Sequence, residues 1–259
     1  MRIESNGIRI HVEELGSGDP ALVFLHYYGG SSRTWKYVTA PLAKSYRTVA
    51  IDHRGWGESD APIVGYSLAN HTDDAVGVID ALGLRRYILV GHSMGGKVAQ
   101  RLASRQPKGL TGLVLVGSSM PKPLVVSAEM RARMLTAYKT RENVEMAIDQ
   151  VLTAKPLNSA DREQVIADSL RGAPQAKEAW PVSSSQEDIS DAVSAISAPT
   201  LVIACELDRV DSVETTKAEL LSRIPGAVLH VVPGTGHLSP LESPADLVRL
   251  IDQFAVGLA

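Results

Sequence analysis

Ser93 lies in the pentapeptide Gly91-His92-Ser93-Met94-Gly95, between an apolar run, Tyr87-Ile88-Leu89-Val90, and a helical pattern over 96–106. Strand, sharp turn and helix in that order would lift a serine hydroxyl above the end of a sheet. The glycines two residues to either side suit a turn with close backbone packing and strained dihedrals. A serine hydroxyl is a weak nucleophile until a base takes its proton, so a histidine must reach Ser93. His237, in Pro233-Gly234-Thr235-Gly236-His237, follows the last strand-like run and precedes the last helical pattern. That places it on the rim where parallel α/β sheets bind ligands. His11 and His230 fall inside strands and read as solvent-facing or packing residues, and His71 lies in a helix. His53 and His92 read as neighbours of the site, and His26 ends a strand on the same rim.

The imidazole needs a carboxylate to fix its tautomer. Asp52, Glu206, Asp208 and Asp211 all lie near strand ends. Asp208 is the favoured partner, with Glu206 and Asp211 as alternatives, because Cys205-Glu206-Leu207-Asp208 directly follows the run Thr200 to Ala204. The run ending at Val116-Gly117-Ser118-Ser119 offers no acid. Asp52 begins the loop Asp52-His53-Arg54-Gly55-Trp56-Gly57-Glu58-Ser59, which reads as a structural turn closed by an internal ion pair. A tetrahedral intermediate also needs backbone N–H donors. One is expected from Met94 and another from the loop His26-Tyr27-Tyr28-Gly29-Gly30-Ser31-Ser32.

The elements that must carry these residues are legible as short apolar runs: 22–25, 48–51, 87–90, 113–116, 200–203 and 228–232. They are β-branched and not alternating, as in strands buried on both faces. Helix-length segments at 67–82, 96–106, 213–223 and 245–254 separate several of them, which predicts α/β architecture with a mostly parallel sheet. Alternation from Arg2 to Leu15 across Asn6-Gly7 predicts an antiparallel hairpin, for a total of about eight strands. Residues 120–197 lack any strand-like run. Helical patterns at 128–138, 143–152 and 159–170, then a loop-like 181–185, read as a helical cap inserted after the sixth strand. The core is then 1–119 and 198–259 of a single domain.

The chain has 259 residues, 44% hydrophobic and 21% charged, with net charge −3. Nothing in that balance favours a nucleic acid or an anionic membrane as partner. The segment Met1 to Gly7 lacks a secretory h-region and no apolar stretch is long enough to span a bilayer, so the expected location is cytoplasmic. One cysteine, Cys205, excludes an intrachain disulfide and a Cys-based metal cluster.

Taken together, five motifs resemble the α/β-hydrolase superfamily, in particular its small, capped, esterase-like members, over nearly the whole chain. They are His26 with Gly29-Gly30, the Asp52–Ser59 loop, Gly91 to Gly96, Glu206-Leu207-Asp208, and Gly236-His237-Leu238-Ser239-Pro240-Leu241-Glu242-Ser243-Pro244. Ser93, Asp208, His237 is also that fold's nucleophile–acid–base order. The resemblance implies Ser93 as nucleophile, His237 as base, Asp208 as acid, and the amides of Tyr28 and Met94 as oxyanion donors. Relatives commonly have His-Gly where this chain has His26-Tyr27, so the Tyr27 side chain is a candidate to narrow the pocket or offer a phenol to the substrate. His92 and Trp180 are further pocket candidates. Met130, Met134, Tyr138 and Met146 could line an apolar acyl pocket, with plain packing as their other role.

The implied activity needs no cofactor: hydrolysis of a small-molecule ester or lactone through an acyl-enzyme. Carbon–carbon hydrolysis of a diketone, and perhydrolase or cofactor-free haloperoxidase activity, use the same three residues. A ligand receptor is the non-enzymatic alternative. Haloalkane dehalogenases and epoxide hydrolases would need aspartate at position 93. Asp52 and Arg54 are expected to brace the strand ends, and Glu242 to pin the loop bearing His237.

Overall fold

The computed structural model describes residues 1–258. Its sheet contains β1 (Arg2–Ser5), β2 (Ile8–Leu15), β3 (Ala21–Leu25), β4 (Thr48–Ile51), β5 (Tyr87–His92), β6 (Leu110–Val116), β7 (Thr200–Cys205) and β8 (Val228–Val232), in the spatial order β1-β2-β4-β3-β5-β6-β7-β8. β1 and β2 form the antiparallel hairpin, turned by Asn6 and Gly7 at φ +49° and +78°. From β4 through β8 every neighbouring pair is parallel. Successive residues of β3 explain the missing alternation. Val23 and Leu25 join one apolar cluster, while Leu22 and Phe24 join the cluster on the opposite face.

The helices are α1 (Lys36–Leu42), α2 (Leu68–Ala81), α3 (Met94–Ser104), α4 (Ala128–Thr136), α5 (Arg141–Ala147), α6 (Ser159–Arg171), α7 (Pro174–Val182), α8 (Val213–Thr216), α9 (Ser239–Glu242) and α10 (Pro244–Val256). π-helical turns at Ile148–Leu152 and Lys217–Leu221 extend α5 and α8. α4 to α7 follow β6 and precede β7, so the segment without strands contains four helices where the sequence pattern shows three. The extra one, α7, begins with Pro174 at its first position, where a missing N–H costs nothing. It ends through Pro181, so the residues expected as loop are partly the last turn of a helix. α1 also escapes the periodic pattern: it is about two turns long, with β-branched residues and Pro41 inside it.

Parallel register brings the rim together. Leu25 aligns with Gly91, His92 with Val116, Val116 with Ile203, and Cys205 with Val232. The loops after β3, β5, β6, β7 and β8 therefore emerge side by side, although they are separated in the chain by up to two hundred residues.

The loop following β4 departs from expectation. No ion pair joins Asp52 to Arg54. Asp52 accepts from His11 Nδ1 (2.9 Å), Ser32 N (2.5 Å) and Glu58 N (2.8 Å), which satisfies the carboxylate locally. His11 thus pairs with a buried acid across β2 and β4 instead of facing solvent. Arg54 turns the other way, onto both oxygens of Asp74 in α2 (2.6 Å each) and the Gly65 carbonyl (2.5 Å). Arg54 and Asp74 are both buried, and removing one leaves the other charge without a counterion. Arg54→Ala is expected to cost about 3–5 kcal/mol, lowering Tm by roughly 10 °C. Thermal unfolding followed by circular dichroism measures this, and the paired change Arg54→Met/Asp74→Leu is expected to restore most of it. A shift in Tm of under about 2 °C for the single variant contradicts the assignment.

Candidate active site

Ser93 occupies the turn between β5 and α3 at φ +54°, ψ −118°, a conformation rare outside glycine. The strain lies on the serine itself: neither Gly91 nor Gly95 has positive φ. What those glycines provide is space. A Cβ on Gly95 would stand 2.5 Å from the Leu25 carbonyl oxygen and 2.6 Å from that of His26, and one on Gly91 would stand 2.5 Å from the Gly95 oxygen. The start of α3 can therefore lie directly against the end of β3. The Ser93 backbone is tied to the next strand, with its N–H on Val116 O (3.1 Å) and its carbonyl accepting from Ser119 N (3.1 Å).

His237 Nδ1 donates to Asp208 Oδ2 at 2.8 Å, and both side chains are buried. The bond fixes the tautomer, leaving Nε2 as the acceptor. Asp208 Oδ1 in turn accepts from the N–H groups of Val210 (2.8 Å) and Asp211 (3.2 Å). Burial raises the Asp208 pKa, but the His237 interaction and these two N–H groups outweigh it, and the net shift is downward. For His237 burial lowers the pKa, the Asp208 charge and hydrogen bond overcome it, and the net shift is upward. Glu206 points elsewhere, accepting from Gly234 N (2.7 Å). His92 Nε2 donates to the His237 carbonyl (2.8 Å), with the two rings 5.0 Å apart. It is fully buried behind that loop, not open to a pocket. Glu242 accepts from Gly236 N (3.2 Å), and also from Ala154 N (2.9 Å) and Lys155 N (3.0 Å), so it joins the His237 loop to the helical insertion.

Asp211 is the site residue whose environment local sequence could not show. It is buried, its Oδ2 has no partner among the described residues, and burial pushes its pKa up to about 7 despite His237 nearby. Its charge is one of those that raise His237. A histidine must be neutral to accept a proton, so a reaction that used His237 as its base would slow as pH drops through the apparent pKa of this coupled group. Asp211→Asn removes a negative neighbour and is expected to move the acid limb of kcat/KM down by roughly half a pH unit. A pH–rate profile reads this, and an unmoved or raised limb contradicts it.

The loop after β3 turns tightly, with Gly30 N bonded to Tyr27 O (3.0 Å) and Gly29 at φ +98°, as a type II turn demands at that position. His26 Nδ1 also donates to Tyr27 O (2.7 Å), and its Nε2 accepts from His53 N (3.0 Å). The oxyanion-loop candidate is thereby tied to the loop after β4. Tyr28 N–H has no acceptor among the described residues, and Met94 N–H opens α3 with no preceding helical turn to bond. Both amides are free to receive a ligand oxygen.

Tyr27 does not face an open pocket: its ring is 1% exposed, sits against Gly30 and lies 5.4 Å from the His92 ring. Trp180 is buried in the apolar cluster that also contains Tyr28, Met94 and Tyr138. Met130 and Met146 are exposed on the insertion and line no interior pocket, whereas Tyr138 is 4% exposed and lies against Gly29 in the loop after β3. Among the described residues no group of three His, Cys, Asp or Glu is arranged to hold a metal ion, and no helix is long and apolar enough to cross a membrane.

Residues 22–250 match the profile of the alpha/beta hydrolase family. The chain is 30% identical to a 2-hydroxymuconate semialdehyde hydrolase of Pseudomonas putida, covering 96% of this chain and 91% of that one. Among solved structures it is similar to an N-acyl homoserine lactone degrading enzyme, Est816, with TM-score 0.84, 31% identity and coverage of 98% and 100%. An esterase from Exiguobacterium antarcticum shares the fold, with TM-score 0.90 at 23% identity and 98% coverage of both chains. The chain belongs to the alpha/beta hydrolase family.

Proposed function

We propose that this protein is a serine hydrolase that cleaves a small carboxylic ester or lactone through an acyl-enzyme on Ser93. One observation carries the reading: a strained serine on the strand-to-helix turn shares a rim with a buried His237–Asp208 pair bonded at 2.8 Å. His237 Nε2 takes the Ser93 proton as Oγ attacks the carbonyl carbon. The resulting oxyanion is received by the N–H groups of Tyr28 and Met94. As the C–O bond to the leaving alcohol breaks, His237 returns the proton to that oxygen. Water then follows the same path: it gives a proton to Nε2 as it attacks the acyl carbon, and Nε2 returns that proton to Ser93 Oγ as the acid is released. Asp208 holds the imidazole in the required tautomer and stabilises the imidazolium between steps. Residues 120–197 act as a cap over the strand ends of a core formed by 1–119 and 198–259.

The lactone-degrading enzyme among the similar structures supports the ester or lactone class. The 2-hydroxymuconate semialdehyde hydrolase supports a second reading, carbon–carbon hydrolysis with the same three residues. A fluorophosphonate probe followed by peptide mapping tests the nucleophile, with an adduct on Ser93 expected. A panel of short p-nitrophenyl esters and acyl lactones, set against a dienoic diketone, then separates the two readings. Failure to label Ser93 together with no turnover of any of them overturns the enzyme assignment in favour of a ligand-binding role.

A further inference from the structure

Tyr28 is held from two sides by the helical insertion. Its carbonyl accepts from the Tyr138 hydroxyl at 2.9 Å, across 110 residues of chain. Its own hydroxyl donates to the Lys177 carbonyl in α7 at 2.6 Å, across 149 residues. That carbonyl is available for a specific reason. In an α-helix it would accept from the N–H four residues on, but that residue is Pro181, which has none. The Tyr138 ring also lies directly on the neighbouring turn residue: a Cβ on Gly29 would stand 2.5–2.8 Å from its Cε2, Cζ and Oη. The rings of Tyr28 and Tyr138 are 4.9 Å apart, and Trp56 stands edge-on to both. α6 adds two more contacts to the same loop, with Ser169 Oγ donating to Gly29 O (3.0 Å) and Asp168 accepting from Ser31 Oγ (2.9 Å).

We infer that Tyr138 is a positioning residue for the oxyanion hole: its hydroxyl, bonded to the Tyr28 carbonyl, fixes the residue that presents the second oxyanion N–H. The inference rests on the serine-hydrolase reading above. Stabilisation of an oxyanion depends on donors already aimed at where the charge develops, with no reorganisation left to make during reaction. A glycine-flanked turn does not supply that rigidity alone. The insertion supplies it, so the hole is complete only while the insertion is docked. Substrate binding through the acyl group draws little on this contact; the tetrahedral intermediate draws on it fully.

Tyr138→Phe keeps the ring on Gly29 and removes only the hydroxyl. It is expected to lower kcat for p-nitrophenyl acetate about tenfold, less than the ~10²-fold that follows outright loss of a donor, while KM stays within about twofold. Affinity for phenylboronic acid, whose adduct with Ser93 places an anionic oxygen in the hole, is expected to fall by the same factor. Lys36→Met is the control. It removes the Lys36–Asp161 ion pair (2.6 Å) between α1 and α6, a contact of the insertion that does not involve Tyr28, and is expected to leave kcat unchanged. Wild-type kcat and boronate affinity in Tyr138→Phe overturn the inference, as does an equal loss in Lys36→Met. Failure of the underlying reading looks different: the wild-type protein then takes up no boronate and Ser93→Ala retains its turnover.

Discussion

Ser93→Ala is expected to lower kcat for p-nitrophenyl acetate by about 10⁶-fold. The alanine keeps the fold around the turn, since the side chain being removed is a single hydroxyl and α3 and β5 pack through Gly91 and Gly95 instead. The free amides of Tyr28 and Met94 and the His237–Asp208 pair all persist, so residual catalysis by direct attack of water is expected at about 10³–10⁴ over the uncatalysed rate. Pre-steady-state kinetics add a second readout, because the burst of p-nitrophenol that marks acyl-enzyme formation must vanish with the nucleophile. A variant that retains a burst, or turns over within about tenfold of wild type, shows that another residue receives the acyl group.

Asp208→Asn is expected to lower kcat by about 10⁴-fold, with substrate binding little changed. The reason lies in how Asp208 is held. Its Oδ1 accepts from two backbone N–H groups, Val210 and Asp211, so the amide oxygen of an asparagine must take that side. The NH2 then faces His237 Nδ1, which can only meet it as an acceptor. The proton moves to Nε2, and the imidazole can no longer take one from Ser93. The loss is expected to ease at high pH only if hydroxide replaces the base, so the pH–rate profile of the variant should rise where the wild type is flat. A loss of less than about tenfold moves the acid role to Asp211, the other buried carboxyl beside His237.

Much of the site is legible in the chain. Runs such as Leu22–Leu25 and Leu113–Val116 are apolar at every position because they are covered on both faces, and that pattern requires a parallel sheet flanked by helices. Once the sheet is parallel, residues that follow strands share one rim, which is why Ser93, Asp208 and His237 stand out as candidates from order and position. The hairpin across Asn6-Gly7 is equally local, since few residues accept two consecutive positive φ angles. Local pattern fails where a short helix carries β-branched residues and a proline, as in α1, or where a proline reads as a stop but closes a final turn, as in α7.

By itself, then, the sequence determined the sheet, the order along it of the residues able to do chemistry, and Ser93 and His237 as the candidate nucleophile and base. Backbone periodicity and turn chemistry act over a few residues, and these features need nothing longer. Only the tertiary structure decided which way each polar side chain turns after leaving its strand. It set Asp208 on His237 and Glu206 on Gly234, sent Arg54 to Asp74 instead of Asp52, and placed the Tyr138 hydroxyl on the Tyr28 carbonyl. Each of those contacts satisfies a buried polar group with a partner from another element, and burial exists only once the elements have packed.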